Sequence, residues 1–80
     1  MTMLKLYTYA SCGYCARVRD AFKQMAIPFE EIDAEQGTPG SEELVRLGGK
    51  QQVPFLVDEE AGVSMYESND IISYVRTRAA

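Results

Sequence analysis

Two neighbouring segments set the order of the predicted elements: Leu4-Lys5-Leu6-Tyr7-Thr8-Tyr9 and Ser11-Cys12-Gly13-Tyr14-Cys15. The first segment is short, apolar and rich in Leu and Tyr, which predicts a strand. After the second segment, apolar residues recur along one helical face, at Cys15, Val18, Phe22 and Met25. The predicted order is therefore a strand, a Cys-x-x-Cys motif and a helix.

The two cysteines are expected to differ in chemistry. If the helix begins near Gly13, Cys12 lies at its N-terminus, where unpaired N–H groups and the positive end of the helix dipole stabilise a thiolate. Cys15 lies one turn later on the inward face, where it is shielded. A disulfide between them closes a loop too short to stabilise the fold much. The pair therefore indicates redox chemistry, with Cys12 as the nucleophile and Cys15 as the resolving thiol.

Composition narrows the class of protein. Eighty residues predict a single domain over residues 1–80. The net charge of −4 and the absence of a basic run argue against nucleic-acid binding. The sequence has neither a basic, apolar leader nor an apolar stretch of roughly 18 residues, so no membrane association and a cytoplasmic location are expected. In that compartment, paired cysteines are typical of catalysis or metal binding.

The chain contains no histidine, which excludes several kinds of site. A Cys-His dyad and histidine acid–base catalysis are impossible within the chain. A closed Cys₄ or Cys₂His₂ zinc site is excluded as well, because the chain supplies only two sulfur ligands. A metal site shared between chains stays open as an alternative to redox chemistry.

The remaining elements are predicted from apolar patterns and from Pro and Gly. Strands are predicted at 3–8, 28–33, 53–57 and 63–66, and helices from 13 to about 26, from 41 to the Gly48-Gly49 pair, and from an N-cap at Ser68. Residues 36–40 are predicted to form a loop, and Pro54 must lie at the first residue of its strand or outside the ladder. The order β-α-β-α-β-β-α predicts a four-stranded mixed sheet with helices on both faces.

Three separated motifs carry a resemblance to a known family. They are Tyr7-Thr8 with Cys12-Gly13-Tyr14-Cys15, then Gln52-Val53-Pro54, then Glu67-Ser68-Asn69-Asp70-Ile71. At these separations the whole chain resembles the thioredoxin fold and, in its compact form, glutaredoxin. The last motif is also similar to the N-terminal domain of glutathione transferases, because Glu67-Ser68 resembles their Glu-Ser pair.

The resemblance implies a groove for glutathione. In it, Pro54 is a cis proline that faces the disulfide, and the backbone of Val53 pairs with the tripeptide as an added strand would. Ser68 and Asn69 lie at a helix N-terminus whose N–H groups receive the γ-glutamyl carboxylate.

Other residues of the groove are assigned less directly. Lys50 or Gln52 is expected to contact the glycine carboxylate, and Tyr14 to form a partly exposed wall. Arg17 and Arg19, by contrast, are expected to lie on a solvated face of the first helix.

The resemblance therefore implies a glutathione-dependent oxidoreductase that reduces protein disulfides and glutathione mixed disulfides. Its expected reductant is glutathione and its expected state a monomer. Three alternatives stay open: a thioredoxin-like reductant served by a reductase, a glutathione-binding module, and a [2Fe-2S] carrier. The last follows from Gly13, because some glutaredoxins with a small residue there hold a cluster across a dimer, with glutathione and the residue equivalent to Cys12 as ligands.

Overall fold

The computed structural model describes residues 3–79, with side chains through residue 78. Within this range the elements follow the predicted β-α-β-α-β-β-α order. They are β1 (Leu4–Thr8), α1 (Gly13–Gln24), β2 (Phe29–Asp33), α2 (Pro39–Gly48), β3 (Phe55–Asp58), β4 (Val63–Met65) and α3 (Ser68–Ala79). No helix among these residues is both long enough and apolar enough to span a bilayer.

The strands form one mixed sheet in the order β2-β1-β3-β4. β1 pairs parallel with β2, with Leu4 opposite Phe29 and Thr8 opposite Asp33. β3 pairs antiparallel with both β1 and β4. A parallel neighbour requires a crossover, which α1 provides, whereas β3 and β4 are joined by a short hairpin. The predicted mixed sheet is confirmed.

Helices cover both faces of the sheet, as predicted. Alternate residues of a strand point to opposite faces, so Leu4 and Leu6 join one core while Tyr7 joins the other. The first core lies under α1 and α3 and contains Leu4, Leu6, Val18, Phe22, Leu56, Ile71, Ile72 and Val75. The second lies under α2 and contains Tyr7, Ala34, Leu44, Phe55 and Val57. Each large side chain buried in this way contributes roughly 1.5–3 kcal/mol.

Helix boundaries differ from the predictions at three places. α1 ends at Gln24 instead of about residue 26, because Ala26 adopts a left-handed φ of 54°. α2 begins at Pro39 and not at Ser41, with Thr38 as its N-cap, so the predicted loop at 36–40 is too long. The reason is that proline fits the first turn of a helix, where its missing N–H is not needed.

The third difference concerns α3. Ser68 is the first helical residue and not the N-cap, and Glu67 precedes it with a left-handed φ of 71°. β3 begins at Phe55, so Pro54 lies outside the ladder, one of the two predicted positions.

Candidate functional site

The Cys-x-x-Cys motif lies at the junction between β1 and α1. Cys12 is the N-cap of α1, with an extended backbone at φ −86° and ψ 119°. Its N–H donates to the carbonyl of Tyr9 at 3.2 Å, and its Sγ accepts a hydrogen bond from the N–H of Cys15 at 3.2 Å. The first turn of α1 contains no acidic residue. The Cys12 sulfur therefore lies at a helix N-terminus and accepts a hydrogen bond from an N–H group of the first turn.

Cys15 lies in a different environment. It is fully buried, at 0% exposure, whereas Cys12 is half-buried. Burial, together with the hydrogen bond to Cys12, raises the pKa of the Cys15 thiol to about 12. The predicted inward orientation of Cys15 is therefore confirmed. The arrangement places one accessible sulfur beside one shielded, protonated thiol.

A groove of about 490 Å³ lies between α1, the turn before β3 and the N-terminus of α3. Its lining residues are Tyr14, Arg17, Gln52, Val53, Pro54, Glu67, Ser68 and Asn69. The Val53–Pro54 peptide bond is cis. The fold thus brings together six residues that were predicted as glutathione contacts from three separate motifs: Tyr14, Gln52, Val53, Pro54, Ser68 and Asn69.

Lys50 lies elsewhere. Its Nζ is 5.5 Å from the centroid of the Tyr66 ring, and it is not among the lining residues of the groove. Gln52 lines the groove instead and donates from Nε2 to the Glu67 carboxylate at 3.3 Å. Of the two side chains expected near the glycine carboxylate, the geometry favours Gln52, and a contact from Lys50 stays a prediction.

The wall of the groove that α3 forms combines a helix N-terminus with polar side chains. Ser68 is buried and Asn69 is exposed at the first two positions of the helix. The first N–H groups of a helix have no partner within it, so they are available to an anion in the groove. This arrangement suits a carboxylate, as the resemblance implies for Ser68 and Asn69.

Two groove residues were not predicted from the sequence to line it. Arg17 was assigned to a solvated face, but it lines the groove three residues after Tyr14. Among the lining residues described, Arg17 is the one cation and Glu67 the one anion. The helical spacing from Tyr14 to Arg17 is the signal that would have found the arginine, because residues three apart share a helix face.

Arg19 also differs from its prediction. Its guanidinium forms a two-pronged ion pair with Glu31, with Nε at 2.9 Å and Nη2 at 2.5 Å from Oε2. Thr8 donates to the same carboxylate oxygen at 2.8 Å. Arg19 therefore ties α1 to β2 and is not a free solvated side chain.

The sequence is similar to proteins of two glutathione-related groups, the glutathione transferases and the glutaredoxins. The family model described as "Glutathione S-transferase, N-terminal domain" matches residues 6–80. Glutaredoxin 2 of Escherichia coli K12 is 38% identical over 77 residues, which cover 90% of this chain and 32% of that protein.

Two solved structures extend the comparison. A diazinon-metabolizing glutathione S-transferase from the silkworm Bombyx mori matches with a TM-score of 0.81 and 28% identity, over 96% of this chain and 38% of that one. A glutathione transferase homolog from Sulfitobacter, with bound glutathione, matches with a TM-score of 0.78 and 26% identity, over 99% of this chain and 38% of that one. The chain thus spans about a third of the length of these relatives.

The thioredoxin-like fold and the resemblance to glutaredoxins and glutathione transferases are therefore confirmed. Because the family model covers nearly all of the sequence, the chain belongs to the family of glutathione S-transferase N-terminal domains.

Proposed function

We propose that this chain is a glutathione-dependent thiol–disulfide oxidoreductase that reduces glutathione mixed disulfides and protein disulfides through Cys12 and Cys15. One observation carries the proposal: an accessible sulfur on the N-cap of α1 is paired with a fully buried thiol one turn later. This asymmetry suits a nucleophile and a resolving group. We further propose that the chain acts as a monomer in the cytoplasm, where glutathione is abundant and reduced.

The proposed reaction begins with attack by the Cys12 thiolate on one sulfur of the substrate disulfide. With a glutathionylated protein, a Cys12–glutathione disulfide forms, the substrate S–S bond breaks, and the protein thiolate leaves and takes a proton from water. A second glutathione thiolate then attacks the mixed disulfide, which releases oxidised glutathione and regenerates the Cys12 thiolate. Two glutathione sulfurs are thus joined for each mixed disulfide reduced.

An intramolecular protein disulfide uses Cys15 in the second step. After Cys12 has formed a mixed disulfide with the protein, the Cys15 sulfur attacks the Cys12 sulfur and the bond between Cys12 and the protein breaks. The Cys15 proton passes through water to the departing protein thiolate. The protein leaves as a dithiol, and the Cys12–Cys15 disulfide is returned to two thiols by two molecules of glutathione, which become oxidised glutathione.

We propose that the groove holds glutathione in an extended conformation. The backbone of Val53 pairs with the peptide part, and the N–H groups at Ser68 and Asn69 receive the γ-glutamyl carboxylate. Arg17 and Gln52 line the groove, and we assign the second carboxylate of glutathione to their side chains. The glutathione sulfur would then be directed at Cys12, and such orientation lowers the barrier to attack.

A second candidate is a glutathione-binding module of transferase type. The Glu67-Ser68 pair at the start of α3 and the match to transferase N-terminal domains favour it. In this reading glutathione binds in the same groove, but its sulfur reacts with a different electrophile and Cys12 does not cycle through a disulfide. A further alternative is a thioredoxin-like reductant. It differs from the proposed enzyme in its electron donor, which is a reductase and not glutathione.

A third candidate is a [2Fe-2S] carrier, which requires side chains that can bind the cluster iron atoms. Among the described residues no group of three or more His, Cys, Asp or Glu side chains converges, and Cys15 is fully buried. One chain therefore offers Cys12 as its accessible sulfur, and a cluster would need a second chain and glutathione as further ligands. A brown preparation that absorbs visible light would favour this reading over the colourless enzyme.

The testing experiment measures turnover of a glutathionylated peptide with glutathione, glutathione reductase and NADPH. A parallel reaction replaces these with thioredoxin reductase and NADPH. We expect turnover with glutathione, and Cys12→Ser should lower it by on the order of a hundredfold or more, because the nucleophile is lost. Ser11→Ala serves as the matched control and should keep its activity. Substantial activity of Cys12→Ser, or turnover with thioredoxin reductase alone, would contradict the proposal.

A further inference from the structure

Residues 50–54 connect α2 to β3 and carry the groove backbone at Val53. In the described part of the chain, no backbone–backbone hydrogen bond outside the helices and strands involves these residues. The nearest is donated by Gly49, the C-cap of α2, to the carbonyl of Val45. The conformation of this connection must therefore be held by side chains.

Tyr66 holds the connection from one side. Its hydroxyl accepts a hydrogen bond from the N–H of Lys50 at 3.1 Å and donates one to the carbonyl of Lys50 at 3.0 Å. The ring packs against Phe55 with centroids 4.5 Å apart, and a Cβ at Gly48 would overlap it. Tyr66 thus pairs both polar groups of one backbone residue, as a neighbouring strand would.

Gln51 holds the connection from the other side. Its Nε2 donates to the Tyr9 hydroxyl at 2.7 Å and to the carbonyl of Ala34 at 2.9 Å, and its Oε1 accepts from the Ser41 hydroxyl. The carbonyl of Tyr9 in turn accepts from the N–H of Cys12. Gln51 therefore links the connection to α2, to the end of β2 and to the loop that carries the nucleophile.

We propose that Tyr66 and Gln51 are positioning residues for glutathione. They fix the conformation of residues 50–53 and thereby the position of the Val53 backbone relative to Cys12. Neither side chain lines the groove, so both act through the connection and not by contact with the ligand. The inference rests on the proposed glutathione-dependent reaction, and it assigns the recognition of glutathione partly to residues that do not touch it.

The test compares Tyr66→Phe with Tyr74→Phe in the full chain. Both substitutions remove one tyrosine hydroxyl, but that of Tyr74 bonds Asp58 at 2.6 Å, on α3 and β3 and apart from the groove lining. We expect Tyr66→Phe to raise KM for a glutathionylated peptide about three- to tenfold, the range that corresponds to one or two lost hydrogen bonds. Its kcat and the rate of Cys12 alkylation by iodoacetamide should stay unchanged. Tyr74→Phe should keep the KM of the unsubstituted protein.

Gln51→Met provides a second variant, because it keeps the side-chain length while removing the polar contacts. It should raise KM in the same way as Tyr66→Phe. An unchanged KM in both variants, an equal rise in Tyr74→Phe, or a fall in kcat at constant KM would overturn the inference.

Amide hydrogen exchange at Lys50, whose N–H donates to the Tyr66 hydroxyl, is measured without glutathione and separates this inference from the proposed function. Exchange at this amide should be faster in Tyr66→Phe than in Tyr74→Phe, because only Tyr66→Phe removes its hydrogen-bond acceptor. Equal exchange rates in the two variants would overturn the positioning role of Tyr66, whether or not the protein turns over glutathionylated peptide. An unsubstituted protein without glutathione-dependent turnover, combined with faster exchange in Tyr66→Phe, overturns the proposed function and leaves the structural role of Tyr66 supported.

Discussion

Cys12 and Cys15 lie one helical turn apart, yet only Cys15 is fully removed from solvent. The sulfur of Cys12 receives the N–H of Cys15, whereas the thiol of Cys15 lies in the interior next to Val18 along the same face. Burial keeps Cys15 protonated at neutral pH because desolvation penalises the thiolate. In the reaction that we propose, attack by Cys15 therefore follows the formation of a mixed disulfide at Cys12.

Replacing Cys15 by Ser should separate the two resolving routes. Reduction of an intramolecular protein disulfide should fall by about tenfold or more, because the mixed disulfide at Cys12 can then be resolved only by glutathione. Turnover of a glutathionylated peptide should persist, because glutathione itself attacks in that reaction. Both rates are measured on the same preparation, after circular dichroism has shown that the variant is folded. Loss of both activities in a folded variant would mean that Cys15 does more than resolve.

α2 approaches β2 closely at Gly40, in the first turn of the helix. Gly40 is buried, and a Cβ built there would overlap the backbone carbonyl of Asp33 and press on the Ile32 side chain. Asp33 is paired with Thr8 of β1, so its backbone cannot move aside without disturbing that pairing. Gly13, at the start of α1, has no atom within 4 Å of the corresponding position.

Gly40→Ala should therefore destabilise the protein by about 1–3 kcal/mol, as overpacking does in other interiors. Gly13→Ala is the matched control and should be neutral or stabilising by up to about 1 kcal/mol, because alanine is the better helix former. Urea denaturation of the two variants and the unsubstituted protein measures both effects. Equal stability of Gly40→Ala and Gly13→Ala would show that α2 can shift away from β2 at little cost.

In the folded protein, the groups with shifted pKa values titrate at either acidic or alkaline pH. Ion pairing and hydrogen bonding with Arg19 hold the pKa of Glu31 below its usual value, and the Tyr74 hydroxyl with Arg78 does the same for the pKa of the buried Asp58. Burial raises the pKa of Cys15 and, with a hydrogen bond to Glu43, that of Tyr7. The chain has no histidine to titrate between these groups.

The free energy of unfolding should therefore be nearly constant from about pH 5.5 to 7.5. Glu31 and Asp58 have lowered pKa values in the folded state, so their stabilisation is present above an unfolded pKa of about 4 and is lost as the pH falls through the folded values. Cys15 has a raised pKa, so its contribution is complete below about pH 8.5 and is lost as the pH rises toward 12.

Urea unfolding from pH 3 to 11 measures this profile. Asp58→Asn should flatten the acidic limb, and Cys15→Ser should flatten the alkaline limb. A steep slope between pH 5.5 and 7.5, or limbs that the two variants leave unchanged, would contradict the assignment of these groups.

Local signals in the sequence account for much of the fold. The order of the elements, the inward face of α1 and the interruption at Pro54 all follow from apolar spacing and from proline chemistry, which act over a few residues. The position of Cys12 at a helix N-terminus follows in the same way. The predicted start of α2 at Ser41 was wrong, because Pro39 suits both a loop and a first helical turn and the neighbouring residues do not distinguish the two.

The site required contacts between residues far apart in the chain. Arg17 and Arg19 are two residues apart on α1, yet one lines the groove and the other pairs with Glu31 of β2, since each helix face meets a different part of the sheet. The hydrogen bonds from Gln51 to Tyr9 and from Lys50 to Tyr66 span 42 and 16 positions. The sequence alone was sufficient for the order of the elements and for the positions of Cys12 and Cys15 on α1, because both depend on local backbone geometry. The walls of the groove depended on how helices pack on a twisted sheet, which no local pattern encodes.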